Sequence, residues 1–282
     1  MPAKIIDGKA IALDLRSKLK EKIKEFRDQG KRPPCLAVLL VGNDPASEVY
    51  VGHKKKACAA IGIESRSLEL PEDTTQEELA KHLTDLNSDD GVDGILLQLP
   101  LPKHLSADKA IDLIHPDKDV DGLTPVNQGL LVWRRPGIVS CTPAGVMELL
   151  KSTGVNLVGA RAVVMGRSVL VGAPMATLLS NAGATVHCLN SRTVEGEALT
   201  KEADILVVAT GVHHLVKGSH VKPGAIVIDV GMHRHDGVLS GDVKFDEVRD
   251  VASHITPVPG GVGPMTIAML LSNCVQAYQK RH

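Results

Sequence analysis

Aromatic side chains are nearly absent: Phe, Tyr and Trp make up 2% of the 282 residues, while 43% of the chain is hydrophobic. The interior must therefore be built from Val, Leu, Ile and Ala, which suits parallel strands covered on both faces. Neither sign of charge dominates, with 32 Lys and Arg against 33 Asp and Glu. Without a long single-sign block, nucleic acid and membrane surfaces are not expected as general partners. The five cysteines, Cys35, Cys58, Cys141, Cys188 and Cys274, are scattered and form no C-x-x-C pair. That excludes a disulfide framework or zinc site as an expectation and favours buried reduced thiols; no metal is expected. No apolar run approaches the ~18 residues of a membrane span, and the N-terminus has no charged-then-apolar secretory pattern. A soluble, cytoplasmic protein is expected, and the length makes two domains the natural division.

Periodicity fills in that division. Ala10 to Gln29 carries Leu15, Leu19, Ile23 and Phe26 at helical spacing, and Gly30 stops it. Leu36 to Val41 reads as a buried strand, and Asn43-Asp44-Pro45 supplies a cap with proline at the first helical position. A helix to about Ala60, a strand Ile63 to Leu70, a helix Gln76 to Asn87 and a strand Gly94 to Gln98 complete three strand–helix units. The stretch from His115 to Pro143, punctuated by Pro116, Pro125, Pro136 and Pro143, is expected to be irregular and to carry the passage between domains. A helix including Val146 to Ser152 then leads into the second domain, and Met265 to Lys280 is an amphipathic terminal helix. The expected domains are 1–138 with 265–282, and 139–264.

The second domain carries the clearest local signal. The apolar run Ala162 to Met165 enters Gly166-Arg167-Ser168-Val169-Leu170-Val171-Gly172 and a helical stretch from Ala173 to Ala182. A strand that stops on glycine lets backbone N–H groups approach a pyrophosphate, and the following helix N-terminus adds partial positive charge. A second strand, Ala184 to Leu189, delivers Asn190-Ser191-Arg192 where NAD sites place an acidic residue. A hydroxyl and a cation suit a 2′-phosphate, so the expected cofactor is NADP. The loop does not match G-x-G-x-x-G, and an ordinary strand, turn and helix is the alternative. Asp204 to Ala209 ends in Thr210-Gly211 and Ala225 to Val230 in Gly231-Met232, so these turns are expected to line one crevice.

In the first domain, Tyr50 and Lys54 lie four apart on a predicted helix and share a face. A ring beside an ammonium can hold a flat substrate next to a proton carrier, since burial lowers a lysine pKa. The alternative is that Lys54-Lys55-Lys56 is solvated helix surface. Gln98, at a strand end, can orient both a lysine and a carbonyl, or can simply bond a turn. Asp121, in Lys118-Asp119-Val120-Asp121-Gly122, can accept paired N–H donors from an amino-pyrimidine edge, or can satisfy a local turn. His213-His214 and His233-Arg234-His235 are expected at the surface, and Cys141 is expected to be buried structure.

Together these segments resemble the bifunctional methylenetetrahydrofolate dehydrogenase/methenyltetrahydrofolate cyclohydrolase family over essentially the whole chain. The resemblance rests on Val41-Gly42-Asn43-Asp44-Pro45-Ala46-Ser47 with Tyr50-Val51 and Lys54, Gln98-Leu99-Pro100-Leu101-Pro102, Lys118 to Gly122, Gly166-Arg167-Ser168, and Pro257 through Thr266. The chain departs at Asn190, where the family usually has histidine, and at Ala173, where it often has a basic residue. The resemblance implies two α/β domains flanking a cleft, the second a Rossmann-type parallel-sheet NADP-binding domain. It implies NADP-dependent oxidation of methylenetetrahydrofolate, hydrolysis of the methenyl product to formyltetrahydrofolate, and a homodimer. Lys54 would be the central catalytic residue with Gln98 tuning it. Tyr50 would stack on the folate, Asp121 would anchor the pterin edge, and Pro259, Gly260 and Gly263 would wall the substrate. Gly166, Arg167, Ser168 and Met232 would contact NADP, with Ser191 and Arg192 near its extra phosphate. A different two-domain dehydrogenase of shikimate type and a catalytically silent NADP sensor are the competing readings.

Overall fold

The computed structural model describes residues 2–235 and 237–282; the side chains of residues 46, 49 and 235 lie outside that description. The elements of the first half are β1 (Lys4–Ile5), α1 (Gly8–Asp28), β2 (Cys35–Val41), α2 (Pro45–Ile61), β3 (Glu64–Leu70), α3 (Gln76–Ser88), β4 (Gly94–Leu97), α4 (Ala107–Ile111), α5 (Pro125–Val132) and α6 (Cys141–Ser152). There follow β5 (Arg161–Met165), α7 (Gly172–Asn181), β6 (Thr185–Leu189), α8 (Gly196–Glu202), β7 (Ile205–Val208), β8 (Ile226–Asp229), β9 (His233–His235), β10 (Val238–Ser240), α9 (Phe245–Arg249), β11 (His254–Ile255) and α10 (Val262–Arg281). They form two compact units, one of Asp14–Cys141 with Ile267–His282 and one of Met1–Leu13 with Thr142–Thr266.

The first of these contains a parallel sheet in the order β3-β2-β4. Every residue of β2 is buried because both faces are covered. Leu19, Ile23 and Phe26 of α1 pack with Leu36, Val38, Leu270, Leu271 and Tyr278 on one side; Leu79, Leu83 and Leu86 of α3 pack with Ala37, Leu39 and Ile95 on the other. Aliphatic residues do this work, and the buried Tyr278 is an exception whose hydroxyl donates to Arg32 O at 2.9 Å. Asn273, also on α10, donates to Val120 O and Val139 O, both at 2.9 Å, tying the terminal helix to the loop that carries Asp121.

The second unit contains a six-stranded sheet in the order β1-β11-β8-β7-β5-β6, all parallel, with β9 and β10 as a separate antiparallel hairpin. The chain runs from β5 to β6 on one side and returns to β7 on the other, which makes the carboxyl end of β5 a topological switch point.

Two expectations change. Residues 2–13 were expected to lie with the first domain, yet they cluster with the six-stranded unit because Lys4 and Ile5 pair with His254 and Ile255. A two-residue strand has no periodicity to announce it. The stretch 115–143 is not irregular throughout: Thr124 caps α5, its hydroxyl accepting from Asn127 N at 3.3 Å, and Pro125 occupies the first turn. Proline there marks a helix start, its missing N–H being one that a first turn leaves unpaired anyway.

Candidate active site

Lys54 sits one turn beyond Tyr50 on α2. That helix starts where Asp44 accepts from Ser47 N at 2.8 Å and Pro45 follows, and it stops at Gly62 in the left-handed region, φ 90°. The three lysines divide. Lys55 pairs with Glu69 at 3.1 Å and Lys56 is exposed, while Lys54 turns inward, half-buried, and donates from Nζ to Gln98 Oε1 at 2.9 Å. Gln98 follows β4; its backbone N–H donates to Leu39 O at 2.8 Å and its Nε2 to Leu99 O at 2.7 Å. With the amide nitrogen so engaged, the amide oxygen faces the lysine.

Burial lowers the Lys54 pKa from its ordinary value, and the opposing pull of Asp121 is the smaller effect. Burial likewise raises the Asp121 pKa, with Lys54 pulling it down and the buried Asp119 pushing it up. The Cys141 thiol lies against the same carboxylate, and burial with the adjacent Asp121 raises it well above its ordinary value. A desolvated amine, a desolvated carboxylate and an inert thiol thus act on one another in surroundings of low polarity, which bring the charged and neutral forms of the amine and the carboxylate closer in energy than in water. Tyr50 is 36% exposed, with its hydroxyl pKa raised by desolvation.

The Lys118-to-Gly122 run divides its labour. Lys118, buried, donates to Leu86 O at 2.9 Å and Asp89 O at 2.8 Å. Asp119 accepts from Leu123 N at 3.1 Å, Thr124 N at 2.8 Å and Asn127 Nδ2 at 2.9 Å. These two are structural, and Asp121 is the charged member of the run directed at the lysine. Gly122 has φ 69°, and a Cβ there would press on the Val139–Ser140 backbone.

In the other unit, Gly166 closes β5 with φ 115°; a Cβ on it would overlap Ala209 O, and one on Gly172 would overlap Gly166 O. The turn is therefore closed by backbone against backbone, which only glycine allows. Ser168 Oγ accepts from Val171 N at 3.2 Å, and α7 begins at Gly172 with no side-chain cap on its N-terminus. Arg167 and Ser168 are exposed. On the neighbouring β6, Asn190 and Thr193 lock the turn through Asn190 N to Thr193 Oγ1 at 2.9 Å and Arg192 N to Asn190 Oδ1 at 3.0 Å, leaving Ser191 and Arg192 exposed. A glycine-lined helix start, a cradle that a Cβ would fill and an exposed hydroxyl and cation at the next strand fit the phosphates of a dinucleotide.

Met232 follows β8 and is 49% exposed. Pro259 and Gly263 are exposed, and Gly260 has φ 107°. Lys9 N donates to Gly260 O at 3.0 Å, and a Cβ on Gly8 would overlap Gly261 O, so the start of α1 anchors this loop. The histidines make contacts with one another: His213 pairs with Ser240 Oγ at 2.8 Å, stacks on His214 at 3.7 Å and meets His233 edge-on at 5.4 Å. Those three side chains are half-exposed and Arg234 is exposed, as a surface position requires; the expected surface position of the His235 side chain lies outside the described residues. Among the described residues no group of three or more His, Cys, Asp or Glu is disposed to hold a metal ion.

Sequence reasoning passed over Gly8, Asp229 and Asp242. An aspartate closing an otherwise apolar strand, as in Ile226-Val227-Ile228-Asp229, was the available signal for the second. Cys141 was read as structural, and nothing local announced that it borders Asp121.

A Rossmann-type sheet with a phosphate-shaped turn in one unit, and a desolvated lysine in the other, define a dinucleotide-dependent α/β enzyme. Two family models cover most of the chain: the tetrahydrofolate dehydrogenase/cyclohydrolase catalytic domain over residues 6–121 and the NAD(P)-binding domain of the same family over 140–282. The bifunctional protein FolD of Agathobacter rectalis is 52% identical over 279 residues, 99% of this chain and 100% of that protein. The solved FolD methylenetetrahydrofolate dehydrogenase/cyclohydrolase of Campylobacter jejuni superposes with a TM-score of 0.97 at 47% identity, over 99% of this chain and 100% of its own. That of Trypanosoma brucei, solved in complex with NADP cofactor and an inhibitor, gives 0.96 at 41%, over 100% and 99%. The chain belongs to the tetrahydrofolate dehydrogenase/cyclohydrolase family.

Proposed function

We propose that this chain oxidises 5,10-methylenetetrahydrofolate with NADP and hydrolyses the resulting 5,10-methenyl compound to 10-formyltetrahydrofolate. Gly166, Arg167, Ser168 and Met232 hold the dinucleotide, and Ser191 with Arg192 reads its 2′-phosphate. When bound, NADP supplies the hydride acceptor. The unit of Asp14–Cys141 with Ile267–His282 is the catalytic, folate-binding domain, and the six-stranded unit is the NADP-binding domain.

The observation that carries this reading is Lys54 donating to Gln98 Oε1 at 2.9 Å in surroundings that depress its pKa. A methenyl cation is already electrophilic, so its hydrolysis needs a placed water and a group to take the proton. Lys54 in its neutral form takes a proton from the water as oxygen bonds to the methenyl carbon. Gln98 holds the amine in line; the proton passes to N5 as the carbon–N5 bond opens, and the carbinol hydroxyl releases its own proton to solvent as the formyl C=O forms. Tyr50 offers its ring to the pterin, Asp121 accepts from the amino-pyrimidine edge, and Pro259, Gly260 and Gly263 border the substrate. Positioning accounts for much of the rate in the hydride step.

The test is direct assay of purified protein with methylenetetrahydrofolate and NADP, and separately with methenyltetrahydrofolate. Turnover in both is expected, and inactivity with both folates would refute the proposal. Assembly as a homodimer is part of the same reading, and sedimentation as a monomer at micromolar concentration would refute that part.

A further inference from the structure

The loops after β7 and β8 are held from beneath by carboxylates, an arrangement unlike the turn after β5. Asp242, fully buried just beyond β10, accepts on Oδ2 from Thr210 N at 2.6 Å, Thr210 Oγ1 at 2.8 Å and Gly211 N at 2.9 Å. Its Oδ1 pairs with His233 Nε2 at 2.7 Å. Asp229 closes β8 and mirrors it: Oδ1 accepts from Gly231 N at 2.9 Å and Asp242 N at 3.1 Å, and Oδ2 from Val243 N at 2.9 Å. A Cβ on Gly231 would overlap the Asp242 carboxylate, and one on Gly241 would overlap that of Asp229. Each aspartate is thus pressed on a glycine beside the other, and together they dock the β9–β10 hairpin against both loops.

Burying two adjacent carboxylates is costly, and their lone pairs are spent on loop backbone. The spending has a chemical consequence. Thr210 N and Gly211 N both point to Asp242, and Val212 N donates to Thr210 Oγ1 at 3.2 Å. The run Thr210-Gly211-Val212 therefore has no backbone N–H left for an anion, and its remaining main-chain polar groups are carbonyl acceptors. In a sheet whose phosphate turn follows β5 and whose ribose-reading turn follows β6, the ends of β7 and β8 fall to the nicotinamide half of a dinucleotide. A carboxamide NH₂ needs acceptors and a phosphate needs donors, so the polarity of each loop matches the part of the ligand it would meet.

We propose that Asp242 is a positioning residue for the nicotinamide half of the cofactor, acting through Thr210-Gly211 and the Gly231–His233 turn. This rests on the NADP reading above. The test is calorimetric titration with NADP and with adenosine 2′,5′-bisphosphate, a fragment that lacks the nicotinamide. Asp242→Ala weakens NADP binding by on the order of tenfold while the fragment binds within about twofold of the unsubstituted protein. Asp242→Asn, which keeps an acceptor oxygen, retains more NADP affinity than the alanine variant. Thr210→Ala gives a smaller loss that Thr210→Ser restores, and this pair carries the test should the Asp242 variants fail to fold. Equal loss of both ligands would mean general loosening of the fold and overturn the proposal, as would unchanged NADP affinity. Unsubstituted protein that binds neither ligand would refute the dinucleotide reading itself; binding of both, indifferent to residues 242 and 210, would refute this inference alone.

Discussion

The lysine site and the dinucleotide end of the molecule use buried charge in opposite ways. Around Lys54 the ionisable groups are kept short of full neutralisation: the amine donates to an uncharged amide, and burial outweighs Asp121 in setting its pKa. At the ends of β7 and β8 the carboxylates of Asp229 and Asp242 are saturated with backbone donors. Proton transfer requires a group whose two forms are close in energy; loop placement requires a group whose acceptor oxygens are engaged by the loop. One fold can thus perform chemistry and recognition by deciding how completely each buried charge is satisfied.

The contrast breaks most sharply at Lys54. Lys54→Met is expected to lower methenyltetrahydrofolate hydrolysis by about a thousandfold or more while NADP affinity survives, read by hydrolysis rate and titration. Normal hydrolysis in that variant would remove the lysine from the chemistry. On the recognition side, Arg192→Ala should cut the preference for NADP over NAD by about tenfold to a hundredfold in kcat/KM, the scale of a lost charge-assisted hydrogen bond. A preference unchanged by that substitution would count against Ser191-Arg192 as the phosphate reader. Gln98→Met should slow hydrolysis by on the order of tenfold, mainly in kcat, because the amine remains but its direction is lost.

A further effect concerns stability, not rate or affinity. Burial pushes the Asp229 pKa up to about 7 from 3.8, against the pull of its backbone donors. The folded state then holds a proton that the unfolded chain releases, so the contribution is present below the ordinary carboxylate range and is lost as pH rises through about 7. Thermal stability is expected to fall across that window, by ~4 kcal/mol at most from this group. Asp229→Asn should flatten the slope, whatever its effect on the midpoint itself.

Much of this was legible in the chain. The aliphatic strands, the Asp44-Pro45 helix start and the Gln98 segment stand out because apolar runs and turn residues mark where strands end, and ligands lie at strand ends. The inward turn of Lys54 was not legible from Lys54-Lys55-Lys56; only Gln98, forty-four residues on, distinguishes it. The pairing of β1 with β11 escaped detection because two-residue strands have no period. The docking of the hairpin escaped because Asp242 acts on Thr210 and Gly211 through distances in sequence that no local pattern spans.

The most direct test of the tuned lysine is the pH dependence of kcat for methenyltetrahydrofolate hydrolysis in the unsubstituted protein and in Asp121→Asn. Removing the Asp121 charge takes away the largest influence that raises the Lys54 pKa and leaves the desolvation that lowers it. The rate should therefore rise with pH through an apparent pKa below the 10.5 of an ordinary lysine, and that midpoint should move lower still in the variant. A midpoint that stays fixed, or that moves upward when the carboxylate is neutralised, would contradict Lys54 as the proton carrier.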